Sequence, residues 1–315
     1  MSTSTSLAPA ARTALEGLID YAGLFPPARL DMAASVAEYL ACRNGPYAWM
    51  LGGFVVPASR IEELLGCAHP ETEAIPISAI VDAGNDPRSW FGKADAIFDR
   101  LASYAADEQR IAIDALEVPL PTLASARDTY EATVGQAAML AEKYGLRTLP
   151  IYVEVPRDAR WRELLTNTAE ALWRYDLYGK IRCGGVTADA YPSAEELAAY
   201  IAADREYGGG FKATAGLHHP VRHENPSAGV MMHGFLNILF AAAVADFMEL
   251  PELVEIVADT DASHFALSGD EARYRDRAIP LEALETAREH FISYGSCSFA
   301  EPVEDLINLS ILPKA

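Results

Sequence analysis

Short apolar, β-branched stretches bounded by Gly or Pro alternate along this chain with longer stretches of helical periodicity, eight times in unbroken succession. Strand followed by helix, repeated, means a parallel sheet, because a strand gains a parallel neighbour only through a crossover connection. The predicted strands fall at 17–24, 50–56, 75–81, 110–116, 148–155, 180–185, 210–216 and 290–296. Eight units favour closure into a (β/α)8 TIM barrel over an open doubly wound sheet, and one barrel takes roughly 250 residues. The whole chain, 1–315, is therefore read as a single domain.

Helices are expected at 31–43, 88–104, 124–144, 159–175, 231–248, 281–290 and 301–309. Asp31 supplies a start signal, and Ser59 with Glu62 and Ser193 with Glu196 have the spacing of capping boxes. The interval 217–289 is longer than one helix and two loops require, so it is read as a helix plus an inserted segment. The helix at 231–248 is apolar nearly all round, whereas a barrel helix normally keeps one wet face. Its second face must be covered, either by residues 249–289 or by another copy of the chain, and a homo-oligomer through 231–248 is expected.

The chain carries 45 acidic against 25 basic residues, a net charge of −20, which repels nucleic acid and anionic membrane surfaces. The apolar run from Phe235 to Phe247 is interrupted by Asn237 and Asp246 and falls short of the ~20 residues that a bilayer needs. Cys42, Cys67, Cys183 and Cys297 are widely spaced, which argues against a disulfide scaffold or a zinc knuckle. With a polar, small-residue start from Met1 to Ala11, the expected compartment is the cytoplasm and the expected partner a small molecule.

In a barrel, chemistry sits at the carboxyl ends of the strands. Candidates there are Asp20 on the first strand, Asp114 and Glu117 on the fourth, Glu154 on the fifth, Lys180 and Arg182 on the sixth, and Lys212 and Thr214 on the seventh. Side chains alternate along a strand and neighbouring strands lie about 4.8 Å apart, so inward-facing Lys180 and Lys212 would be close neighbours. Two amines crowded in a poorly hydrated interior disfavour each other's charge, which predicts a lowered pKa and a nucleophilic nitrogen on at least one. Asp114 would keep the other charged and pass protons. The bland alternative places Lys180, just after Tyr178 and Gly179, as a solvated residue at the amino end of its strand.

Several runs resemble one family. Ile19-Asp20-Tyr21-Ala22-Gly23-Leu24-Phe25-Pro26-Pro27-Ala28 looks like its opening strand, and Gly53-Phe54-Val55-Val56-Pro57 its second. Lys180-Ile181-Arg182-Cys183-Gly184 keeps the spacing of its Schiff-base strand, while Lys212-Ala213-Thr214-Ala215-Gly216-Leu217 is similar to the strand of its second lysine. Tyr294-Gly295-Ser296-Cys297-Ser298 resembles its phosphate-binding turn, and Asp114 stands at the place of its proton-relay aspartate. The family is the deoxyribose-phosphate aldolases, class I aldolases with a (β/α)8 fold.

The resemblance implies a cofactor-independent carbon–carbon lyase in which Lys180 forms the imine, Lys212 tunes it and Asp114 shuttles protons. Asp20, Glu154, Arg182, Thr214, Gly216, His218, His219, Gly295 and Ser296 would surround a small carbonyl substrate, phosphorylated or carboxylated. Arg182 stands where the family keeps small residues, which implies a substrate carboxylate. His218 replaces a usual arginine, and Glu301 would use the helix dipole that otherwise helps bind phosphate. Two other readings compete: a metal-dependent hydrolase or lyase using His218, His219 and His223 with Glu154 or Asp114, and a barrel without chemistry that serves binding or assembly.

Overall fold

The computed structural model describes residues 7–69, 73–123, 125, 128–157, 160–226 and 229–314. Strands β1 (Ile19–Tyr21), β2 (Leu51–Pro57), β3 (Ile75–Ile80), β4 (Ile111–Pro119), β5 (Ile151–Glu154), β6 (Tyr178–Arg182) and β7 (Phe211–Thr214) are followed by the hairpin β8 (His223–Asn225) and β9 (Val230–Met232). A three-stranded antiparallel sheet, β10 (Phe265–Ser268), β11 (Glu271–Tyr274) and β12 (Arg277–Pro280), precedes the last barrel strand, β13 (Phe291–Ser296). Parallel pairing closes the barrel in the order β1-β13-β7-β6-β5-β4-β3-β2, the (β/α)8 architecture expected from the alternation. All eight predicted strands are present; β1 is shorter than expected, and β6 starts two residues earlier.

The helices are α1 (Pro9–Leu15), α2 (Met32–Arg43), α3 (Ile61–Cys67), α4 (Trp90–Asp107), α5 (Glu131–Lys143), α6 (Trp161–Arg174), α7 (Ala194–Tyr207), α8 (Phe235–Val244), α9 (Leu250–Ala258), α10 (Leu281–His290) and α11 (Ala300–Asn308). Asp31 caps α2 through the Ala34 amide at 2.8 Å, and Ser193 with Glu196 forms the expected capping box on α7. Ser59 does not cap α3. It lies in the 3-10 turn Ala58–Arg60 and its hydroxyl donates to Asp82, while Glu62 accepts from the Tyr104 hydroxyl. The helix predicted from 124 begins at Glu131, and residues 124, 126 and 127 lie outside the described residues.

The apolar helix α8 is buried along its whole length, under α7, α9 and α10 and against β13, with Phe240 edge-on to Phe265 of β10. Its second face is thus covered from within the chain by the inserted segment, so the free apolar face on which an oligomer through 231–248 was expected is absent from α8. The one polar residue of α8, Asn237, explains how the cover is held. Its amide donates to the Ile256 and Asp259 carbonyls at 2.7 and 2.8 Å, and its oxygen accepts from the Arg222 amide at 2.8 Å. Asn237→Leu keeps the side-chain branching and strands the Arg222 amide and the Asp259 carbonyl, while the Ile256 carbonyl keeps the Asp259 amide, so a loss of about 2 kcal/mol in urea unfolding is expected, because each unsatisfied buried group costs about 1–3 kcal/mol. A loss below about 0.5 kcal/mol would contradict this clasp.

The sheet β10–β12 escaped the sequence reading, although its signal was present. Phe265 and Leu267, then Ala272 and Tyr274, then Ile279 are buried at alternate positions of their strands, and the two links are two-residue turns. Gly269 and Arg275 take positive φ at those turns. The sheet packs on α1 and α10, the helices that lead into β1 and β13. No helix among the described residues is long and apolar enough to cross a membrane.

Candidate active site

Inside the barrel, five strands supply the charged residues of one polar cluster. Lys180 and Lys212 are register partners on β6 and β7, and both point inward, 5% and 1% exposed. Glu117 of β4 bridges them, with Oε2 at 2.6 Å from the Lys180 Nζ and Oε1 at 2.6 Å from the Lys212 Nζ. Glu154 of β5 lies 2.8 Å from Lys180, and Asp20 of β1 lies 2.7 Å from Lys212. Asp20 is itself pinned by the Gly53 amide at 2.8 Å and the Ser293 hydroxyl at 2.6 Å, and Ser78 donates to Glu117 at 2.7 Å.

The two amines are not equivalent. Lys212 uses all three hydrogens, on Asp20, Glu117 and the Ser78 hydroxyl at 3.4 Å, and does not reach the cavity. Lys180 meets only Glu117 and Glu154 among the described residues and lines the cavity floor. An ammonium has three donors, so one of its N–H positions remains for a ligand.

Crowding does not lower either lysine pKa, contrary to the sequence expectation. Burial pulls both amines down, but Glu117 and Glu154 around Lys180, and Asp20 and Glu117 around Lys212, outweigh it and raise both above the usual lysine value. Burial likewise pushes Glu117 up, yet Lys180 and Lys212 hold its carboxyl at about 2. Two ammonium groups face three carboxylates, so opposite charge decides the outcome.

Asp114 does not join this cluster. The β3–β4 register pairs Ile77 with Ile113 and then Ser78 with Ala115, so Asp114 is the extra residue of a β-bulge and is exposed. The bulge reverses side-chain parity beyond it and turns Glu117 inward. Glu117 therefore occupies the position anticipated for Asp114. A candidate carboxylate was visible at 117, but no local sequence signal marked the skipped residue.

Above the lysine opens a cavity of about 640 Å³, lined among others by Arg29, Arg182, Thr214, Gly216, His218, His219, Gly295, Cys297 and Glu301. Gly216 (φ +70°) is required here, because a Cβ would come within 3.0 Å of the Cys183 carbonyl where β6 and β7 converge. Arg182 is half exposed and only loosely paired, 3.6 Å from Glu154. Ser296 is buried, and its hydroxyl donates to the Ser298 carbonyl at 2.6 Å, bracing the turn instead of facing the cavity.

The histidine loop is divided among separate partners. His218 Nδ1 lies 3.1 Å from Glu301, His219 Nδ1 lies 2.5 Å from Asp305, and His223 Nδ1 meets the Val221 carbonyl at 3.1 Å. Among the described residues no group of three His, Cys, Asp or Glu side chains converges with metal-ligand geometry. Cys183 is fully buried, as expected of a core residue, and burial pushes its thiol up to about 12.

Fold and site together define a (β/α)8 barrel with a buried lysine–carboxylate cluster under a cavity at the carboxyl ends of its strands. The sequence matches no protein-family model and no curated protein. Structural similarity extends to the deoxyribose phosphate aldolase from Aeropyrum pernix, described as a unique tetramer, covering 95% of this chain and 93% of that one at 13% identity and a TM-score of 0.48. The barrel assignment itself rests on the strand order above.

Proposed function

We propose that this barrel is a class I aldolase-like carbon–carbon lyase whose Lys180 forms a Schiff base with a small carbonyl substrate. The observation that carries the reading is the Lys180 Nζ at the cavity floor, with one donor position unused and two carboxylates within 2.8 Å to take its protons. Imine formation requires the amine to be neutral when it attacks. Glu117 is committed to both lysines, so Glu154 is the carboxylate assigned to receive the Lys180 proton. Lys212 keeps Glu117 ionised and anchors the cluster from below. The imine then acts as the electron sink that lets a carbon–carbon bond break or form without a bound cofactor. Mapping a borohydride-trapped adduct to one lysine tests it.

Arg182 supports a substrate that also carries a carboxylate. Its guanidinium shares Glu154 with Lys180, so an acid group bound at Arg182 would place an adjacent carbonyl toward the amine. Arg182→Gln is expected to raise KM for keto acids roughly 10- to 100-fold, from the worth of one charged hydrogen bond, and to leave neutral aldehydes unchanged. Equal effects on both classes would contradict a carboxylate contact.

The raised lysine pKa favours a second reading. In it Lys180 remains an ammonium group and stabilises an enolate by hydrogen bonding, so the enzyme moves protons next to a carbonyl and never forms an imine. Solvent-isotope exchange into a keto acid with no borohydride adduct would select it.

A further inference from the structure

Cys297, His218 and Glu301 line the same cavity, yet the lysine chemistry uses none of them. They come from separate elements: His218 follows β7, Cys297 follows β13, and Glu301 lies in the first turn of α11. His218 places its Nδ1 3.1 Å from Glu301 Oε2 and its Nε2 3.9 Å from the Cys297 sulfur. A carboxylate only accepts, so Nδ1 carries the hydrogen and Nε2 presents a lone pair to the thiol. Carboxylate, imidazole and thiol in that order form a nucleophile with a base that a third group orients. Burial pushes the His218 pKa down and the Cys297 thiol up, so both are neutral near pH 7 and the sulfur gives up its proton only as it bonds.

We propose that Cys297, with His218 as its base and Glu301 orienting the imidazole, is a second nucleophilic centre of this cavity, and that its ligand class is an aldehyde held as a hemithioacetal. The sulfur–carbon bond forms as the carbonyl π bond opens. His218 Nε2 takes the thiol proton and returns it to the new alkoxide oxygen. No group leaves and no oxidant or reductant is consumed. Lys180 lies two strands away round the barrel wall, and the thiol addition operates whether or not that lysine forms an imine.

Timed iodoacetamide alkylation of the intact protein with peptide mapping tests the proposal. Cys42 and Cys67 are more exposed than Cys297, so exposure alone ranks them first. The expected result is the reverse, with Cys297 at least tenfold faster than Cys42, and protected by glycolaldehyde while Cys42 is not. His218→Asn should slow Cys297 at least tenfold and leave Cys42 unchanged, which also verifies that the variant is folded. With carbon-13 glycolaldehyde, the wild type should show a tetrahedral adduct carbon that Cys297→Ser lacks. Alkylation of Cys297 no faster than of Cys42, an unchanged rate in His218→Asn, or absence of both protection and adduct each overturns it. None of these readouts uses borohydride, so failure of the imine at Lys180 is seen separately.

Discussion

Borohydride added to this protein with a panel of small aldehydes and keto acids is expected to leave one covalent adduct, on Lys180, and Lys180→Met should abolish it. Turnover in that variant should fall at least about 10³-fold, the scale seen when a covalent nucleophile is deleted. Lys180 is singled out over Lys212 because only its amine lines the cavity and keeps a free donor position. Lys212 is saturated by Asp20, Glu117 and Ser78. An adduct on Lys212 would reverse the assignment, and a panel that labels neither lysine while supporting isotope exchange would favour the ammonium mechanism.

The largest stability effect is expected at Glu117. Glu117→Gln removes the one negative charge shared by two buried ammonium groups and sets an amide N–H against one of them. Breaking a buried pair in this way costs about 3–5 kcal/mol. Guanidinium or urea unfolding at neutral pH should read a loss of that size, and a loss under about 1 kcal/mol would refute the bridging role. The pH dependence carries a definite sign. Glu117 is held near 2 in the folded chain against a usual value of 4.5, so its contribution is full above about pH 4.5 and is lost as pH falls toward 2. Lys180 and Lys212 are raised instead, so their contribution is full below the ordinary lysine pKa and is lost only as pH climbs beyond it. Glu117→Gln should therefore flatten the acid limb of the stability profile and, because Glu117 is one of the two carboxylates that raise each lysine, bring the alkaline limb in at lower pH.

Much of the fold was readable from residues alone. Period-two and period-3.6 patterns are local, and eight alternations leave few ways to close a parallel sheet, so the strands carrying Asp20, Glu154, Lys180 and Lys212 were placed correctly. The capping box at Ser193 was readable for the same reason; the equal spacing at Ser59 was misleading because Asp82, from another loop, takes that hydroxyl. Likewise the apolarity of α8 announced a hidden second face, but only the insertion showed that α9 and β10 hide it rather than a partner subunit.

The site divides along the same line. Sequence placed two lysines on adjacent strands of one barrel, since strand order follows from short-range pattern, but left Lys180 open to a solvated position at the amino end of its strand. The tertiary structure decided which carboxylate joins them, because one unpaired residue, Asp114, shifts parity in β4 and brings Glu117 inward. It also decided their charge. A pKa is a sum over every group that surrounds an atom, and the three carboxylates enclosing these amines come from β1, β4 and β5, far apart in the chain and adjacent only once the barrel closes.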